Sequence, residues 1–131
     1  MTIYRCDHIH LKASDVEATA RWYCKILGAK LLFEGQLSGS KVFYISIHGT
    51  TFIIFGLLEG ETAPIEPSPH CKYGMDHFCF QVDNVDQAVS ELRAKKVKII
   101  KEPTTIRPGL RIACIEGPDK VRIELSQKSW E

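Results

Sequence analysis

The 131-residue sequence has almost no net charge: 17 Lys and Arg stand against 16 Asp and Glu, leaving a formal +1. A chain without a basic surplus has no electrostatic footprint for nucleic acid or an anionic membrane, so neither is expected as a partner. No apolar run approaches the roughly 20 residues needed to cross a bilayer. The amino-terminal MTIYRCDH has no apolar core of signal-peptide length, and the expected location is cytoplasmic. Also missing is any CxxC spacing. The five cysteines (Cys6, Cys24, Cys71, Cys79, Cys114) are odd in number, which argues against a disulfide framework and a structural zinc site. They read as reduced thiols acting as small hydrophobes, and Cys79 as a bystander rather than a nucleophile.

What the sequence does contain is a duplication. Met75 to Asp86, MDHFCFQVDNVD, repeats the pattern of Cys6 to Glu17, CDHIHLKASDVE. Each copy has an Asp-His pair, an alternating run that reads as a strand, and a polar cluster that opens a helical pattern. His8 and His77 are therefore equivalent. A composition 44% hydrophobic and 25% charged is that of an ordinary globular protein, and this length suits two half-units sharing one interior. The expected organisation is a single domain over 1–131, with one module at 1–57, a linker at 58–74 and a second module at 75–131.

The first module reads as β-α-β-β-β. Ile3 to Leu11 is a strand, and Ser14 with Glu17 forms a capping box. Val16, Ala20, Tyr23, Cys24 and Leu27 make one helical stripe that ends at Gly28. Ala29 to Phe33 is a short strand, Glu34 to Ser40 a turn, and Lys41 to Ile47 pairs with Thr51 to Leu57 across His48 and Gly49. The linker GETAPIEPSPHCKYG is aperiodic and Pro-rich, and its His70 reads as solvated. The second module repeats the scheme: Asp76 to Val82 as strand, a capping box at Asn84 and Gln87, and a stripe of Val85, Ala88, Val89 and Leu92. Lys98 to Glu102 is then a strand, Pro103 to Gly109 a turn, and Leu110 to Ile115 pairs with Val121 to Ser126 through GPDK. Aligning FIIFGL (Phe52 to Leu57) with RIELSQ (Arg122 to Gln127) makes Ile54 the counterpart of Glu124.

Strand alternation decides which side chains meet. The apolar faces must lie under the amphipathic helices, so His8, His77 and Glu124 all fall on the helix-free faces of their sheets. Two imidazoles and a carboxylate with open positions suit a borderline divalent metal acting as Lewis acid; Zn, Ni, Mn and Fe(II) are not distinguished. The competing reading is plain: polar-face histidines and a strand glutamate are most often hydrated. His10, two residues beyond His8 on the same face, is the candidate acid-base group, with a solvated histidine as its alternative. Phe52 and Ile54 read as an apolar substrate wall. Gln81 and Arg122 read as polar substrate contacts, with simple hydration as the alternative for both, and Arg107 and Arg111 as possible anion partners.

DHIHLK, DVEATARWYCKILG, the second DHFCFQV and the terminal EGPDKVRIELSQ together resemble the vicinal oxygen chelate superfamily, over essentially the whole chain. This is the group of glyoxalase I, methylmalonyl-CoA epimerase, the extradiol dioxygenases and the fosfomycin and bleomycin resistance proteins. The resemblance implies an α+β fold in which two βαβββ modules form a cup-shaped barrel of mixed sheet with helices outside. It also implies a metal inside the cup, ligated by His8, His77 and Glu124, a small substrate chelating that metal through adjacent oxygens, and a homodimer. The glyoxalase and epimerase branches carry a further Glu or Gln ligand where this chain is read as having Ile54, and a hydrocarbon cannot coordinate. The dioxygenase Pro-x-Gly before the glutamate is here Pro118, Asp119, Lys120, without glycine. The expected function is a metal-dependent lyase or isomerase of the glyoxalase or epimerase type. The alternatives are a one-domain Fe(II) dioxygenase and a non-enzymatic, resistance-type binding protein.

Overall fold

The duplicated pattern folds into two β-α-β-β-β modules. The computed structural model describes residues 1–62 and 73–129, and its contacts divide into two units, Met1–Ile65 and Glu66–Glu131. Most of the expected linker, with His70 and Cys71, lies outside the described residues. In the first module β1 (Ile9–Lys12), α1 (Val16–Leu27), β2 (Lys30–Leu37), β3 (Ser40–Ile47) and β4 (Thr50–Phe55) follow in order. The second has β5 (Phe78–Gln81), α2 (Val85–Ala94), β6 (Ile99–Arg107), β7 (Leu110–Glu116), a short 3-10 turn (Pro118–Lys120) and β8 (Arg122–Lys128).

Both sheets have the same topology. Their strand orders are β1-β4-β3-β2 and β5-β8-β7-β6, with the first and last strands of each module pairing in parallel and all other pairs antiparallel. The expected α+β class and module order are thus present, with α1 packing on β3 and β4, and α2 on β6, β7 and β8. Each sheet taken by itself is open, its edges being β1 and β2 in one and β5 and β6 in the other. Tyr23, Ile45, Phe52 and Ile54 are fully buried in the first module, and Val85, Cys114, Ile115 and Ile123 in the second. These side chains are where burial of apolar surface stabilises each unit. Among the described residues no helix is long and apolar enough to cross a membrane.

Several local features differ from the sequence reading. The α1 cap is Asp15, whose Oδ1 accepts from the Ala18 amide at 3.0 Å; Ser14 does not hold that position. Glu17 therefore does not close a capping box and pairs instead with Arg21 at 2.8 Å and Lys41 at 3.3 Å. At α2 the expected Asn84 cap does form, accepting from the Gln87 amide at 3.0 Å. Gly28 ends α1 in the left-handed region at φ 72°, as its position implies. β2 runs on to Leu37 and the turn shrinks to Ser38 and Gly39. β6 likewise runs through Pro103, which fits there because β6 is an edge strand and its pairing slips between Lys101 and Thr104. The β3–β4 hairpin turns at His48 and Gly49, both at positive φ as a two-residue turn of matching twist requires. The opening strands are shorter than expected, so His8 and His77 sit one residue before β1 and β5.

The cap assignment is directly testable. Asp15→Ala is expected to lower unfolding stability by about 1 kcal/mol. Ser14→Ala should cost clearly less, as read from urea denaturation of the two variants.

Candidate metal centre

In a parallel strand pair, registered partners project to the same side of the sheet, so register assigns faces. β5 pairs with β8 as Phe78 to Ile123, Cys79 to Glu124, Phe80 to Leu125 and Gln81 to Ser126. Ile123 and Leu125 are buried, as are Val85, Val89 and Leu92 of α2, so theirs is the helix side. Glu124 consequently shares the other side with Cys79, and His77 precedes it there by alternation. The two side chains meet: His77 Nε2 lies 3.4 Å from Glu124 Oε2, with both groups less than one-third exposed. The opposite ring nitrogen, Nδ1, donates to Asp76 Oδ2 at 2.7 Å.

This pair fits a divalent ion. Two ligand atoms each about 2.1 Å from a tetrahedral ion stand roughly 3.4 Å apart, which matches the His77–Glu124 separation. Engagement of Nδ1 by a carboxylate leaves Nε2 as the coordinating nitrogen, the usual arrangement for a ligating histidine. Among the described residues no group of three or more His, Cys, Asp and Glu is gathered closely enough to hold an ion. The second unit brings together two of the residues singled out in the sequence, His77 and Glu124. His8 belongs to the first unit, where Asp7 Oδ2 accepts from its Nδ1 at 2.7 Å.

The first module corrects the sequence alignment by one residue. β1 pairs with β4 as Ile9 to Phe52, His10 to Ile53, Leu11 to Ile54 and Lys12 to Phe55. His10 is the counterpart of Cys79, so the counterpart of Glu124 is Ile53 and not Ile54. Phe52 and Ile54 lie on the helix side, where both are fully buried and Phe52 stacks on Tyr23 of α1 with ring centroids 6.2 Å apart. They cannot be a substrate wall on the histidine face. The apolar side chains registered on that face are Ile53 and Phe55 of β4, with Tyr44 of β3 and Phe33 of β2 continuing it across the sheet. Phe33 and Tyr44 meet edge to face at 5.5 Å, and a Cβ at Gly35 would come within 2.7 Å of the Phe33 ring. The position in the first module equivalent to Glu124 is thus still a hydrocarbon.

His10 stacks on Phe55 with centroids 3.9 Å apart. Burial, followed by the charge of Lys12, holds its imidazole below the ordinary histidine value. Lys12 itself donates to the Gly56 carbonyl at 3.2 Å and to Glu61 at 2.7 Å, with its ammonium 5.6 Å from the Phe55 ring centre. His10 is thus favoured in its neutral form, able to accept a proton.

On the second module's face, Arg122 is half-buried beside Glu124. One terminal nitrogen donates to Cys114 Sγ at 3.6 Å, while its buried Nε has no hydrogen-bond partner among the described residues. Gln81 is exposed at the end of β5. Burial, with the Glu124 carboxylate adding to it, pushes the Cys79 thiol up, and a thiol kept protonated is a poor nucleophile. Arg111 is not available for a ligand anion: it donates to both Asp86 oxygens at 2.7 and 2.8 Å and to Thr105 at 3.2 Å. Sequence reasoning passed over Asp7, Asp76, Ile53 and Phe55. The aspartates were visible as the repeated Asp-His pair but served only to mark the duplication.

Comparison with known proteins agrees with this architecture. The sequence profile of the glyoxalase/bleomycin resistance protein/dioxygenase superfamily matches residues 5–125. The chain is 31% identical over 130 residues to a probable lactoylglutathione lyase from Synechocystis, covering 93% of this chain and 94% of that one. It is 30% identical over 106 residues to human mitochondrial methylmalonyl-CoA epimerase, covering 78% of this chain, which spans 60% of the epimerase's length. The fold is shared with the fosfomycin resistance protein FosX from Listeria monocytogenes, solved with Mn(II) and sulfate. That likeness has a TM-score of 0.71 at 20% identity, over 98% of this chain and 96% of FosX.

Two outcomes follow from the register and the ion pair. Ile54→Glu, which puts a carboxylate into the helix-side core, should destabilise the protein by several kcal/mol. Tyr44→Glu, registered with Ile53 on the histidine face but 37% exposed, should cost much less in the same urea titration. Arg111 holds the Asp86 carboxyl below the usual carboxylate range by hydrogen bonding. A value lowered by folding stabilises above the ordinary Asp pKa near 3.9 and is lost as pH falls through the lowered folded value. Asp86→Asn should therefore reduce stability at neutral pH, and the difference from wild type should vanish in strong acid.

Proposed function

Because the chain belongs to the glyoxalase/bleomycin resistance protein/dioxygenase superfamily, we propose that it is a metal-dependent lyase or isomerase of the glyoxalase or epimerase kind. Its two modules build one domain, and His8, His77 and Glu124 hold one divalent ion that a small substrate chelates through two adjacent oxygens. The observation that carries this reading is the 3.4 Å approach of His77 Nε2 to Glu124 Oε2, with Nδ1 already engaged by Asp76. When bound, a Zn, Ni, Mn or Fe ion supplies Lewis acidity that lowers the cost of negative charge on a substrate carbonyl oxygen.

The chain's own side chains do the rest. His10 Nδ1 or Nε2 takes the proton from the carbon next to that carbonyl, a role supported by its depressed pKa and by the Phe55 ring that fixes its plane. Ile53 and Phe55 replace Phe52 and Ile54 as the apolar wall that excludes water. Arg122, whose Nε has no hydrogen-bond partner among the described residues, and Gln81 orient the polar end of the substrate. A homodimer is part of the proposal, supported by the exposed Leu31, Leu32, Phe33 and Leu37 along the edge strand β2. A cytoplasmic setting is supported by the free thiols of Cys6, Cys24, Cys79 and Cys114. The hydrocarbon at Ile53 favours a dioxygenase as the second reading, because it leaves one carboxylate in the ligand set.

The test is metal analysis of protein purified without chelators, followed by deuterium wash-in at the carbon beside a substrate carbonyl. About one ion per chain is expected, lost in His77→Ala and Glu124→Ala. His10→Ala should keep the metal but slow exchange by roughly 10²–10⁴-fold. Failure of wild type to bind Ni, Mn, Fe or Zn would overturn both enzymatic readings. Iron-dependent oxygen uptake with catechols and no proton exchange would favour the dioxygenase.

A further inference from the structure

Each module sets an aspartate carboxylate on the Nδ1 of the histidine that follows it in the chain. Asp7 Oδ2 meets His8 Nδ1, and Asp76 Oδ2 meets His77 Nδ1, at 2.7 Å in both cases. Neighbouring side chains of an extended strand point to opposite faces, so contact between residues i and i+1 is not a default of β structure. It is available here because all four residues precede the first regular strand position of their modules. The same atoms pair at the same distance in two units whose local sequences, CDHIHL and MDHFCF, otherwise differ.

We propose that Asp7 and Asp76 are positioning residues that select the histidine nitrogen presented to the cation, an inference that rests on the metal-binding reading above. An ionised carboxylate can only accept, so the ring proton is held on Nδ1 and the lone pair is left on Nε2. In the second module that is the nitrogen facing Glu124. The carboxylate also fixes the ring's rotation about its side-chain bonds. A structural role does not explain the pairs, because ion pairs this exposed contribute little to stability. Asp7 is 92% exposed and Asp76 45% exposed. The difference also ranks them: the Asp76 bond is less diluted by water, so Asp76 orients its histidine more firmly.

The experiment uses the full chain and Zn(II) in competition with a chromophoric chelator, together with nitrogen NMR of the histidine rings in the metal-free protein above about pH 8, where an ordinary imidazole is neutral. Asp76→Ala is expected to weaken Zn(II) binding by about 10- to 100-fold, Asp7→Ala by less, and Asp76→Glu to recover part of the loss. Urea midpoints should barely move. The metal-free wild type should show His77 protonated on Nδ1, with that preference lost in Asp76→Ala. Zn(II) affinity of Asp76→Ala within twofold of wild type, or His77 protonated on Nε2 in the wild type, would overturn the inference. Absence of Zn(II) binding by wild type would overturn the metal-binding reading itself and this inference with it, so the two failures are distinguishable.

Discussion

The parallel pairing of the first and last strands of each module is the constraint on which the candidate site depends. Because side chains alternate, a slip of one residue would carry every group to the opposite face. Burial on the helix side prevents the slip: Ile123 and Leu125 belong to the core of the second module, as Phe52 and Ile54 belong to that of the first. Moving any of them outward would expose apolar surface worth about 1.5–3 kcal/mol per side chain. The position of Glu124 beside His77 is therefore held by hydrocarbon packing on the other side of the sheet.

The same register makes the modules chemically unequal. In the second it aligns Glu124 with Cys79 and brings the carboxylate to His77. In the first it aligns Ile53 with His10, so the face carries an apolar residue and the stacked Phe55 ring. Under the proposed function the second module supplies the histidine-carboxylate pair, whereas the first supplies one histidine, a proton carrier and a dry surface.

Much of the fold was legible in the residues. The repeated Asp-His strand gave the two modules, Gly28 and Asn84 gave helix ends, and His48-Gly49 gave the hairpin. The face of β4 was not legible, because Phe52, Ile53 and Ile54 are all buried and a continuous apolar run carries no period-two signal. Ser14 and Asp15 are both good caps, and only the geometry of the first turn separates them. Pro103 disguised the middle of an edge strand as a turn. The aspartate contacts of His8 and His77 join adjacent residues, and no spacing rule reveals such a pair.

Under the proposed function, His8, His77 and Glu124 ligate one divalent ion. The most direct test is a crystal structure of the protein grown with Mn(II), read by anomalous scattering. The expected result is one strong peak per chain, about 2.0–2.3 Å from a ring nitrogen of His8, a ring nitrogen of His77 and a carboxylate oxygen of Glu124. A fully saturated crystal whose only manganese peak lies away from these three residues, or that shows none, would contradict it.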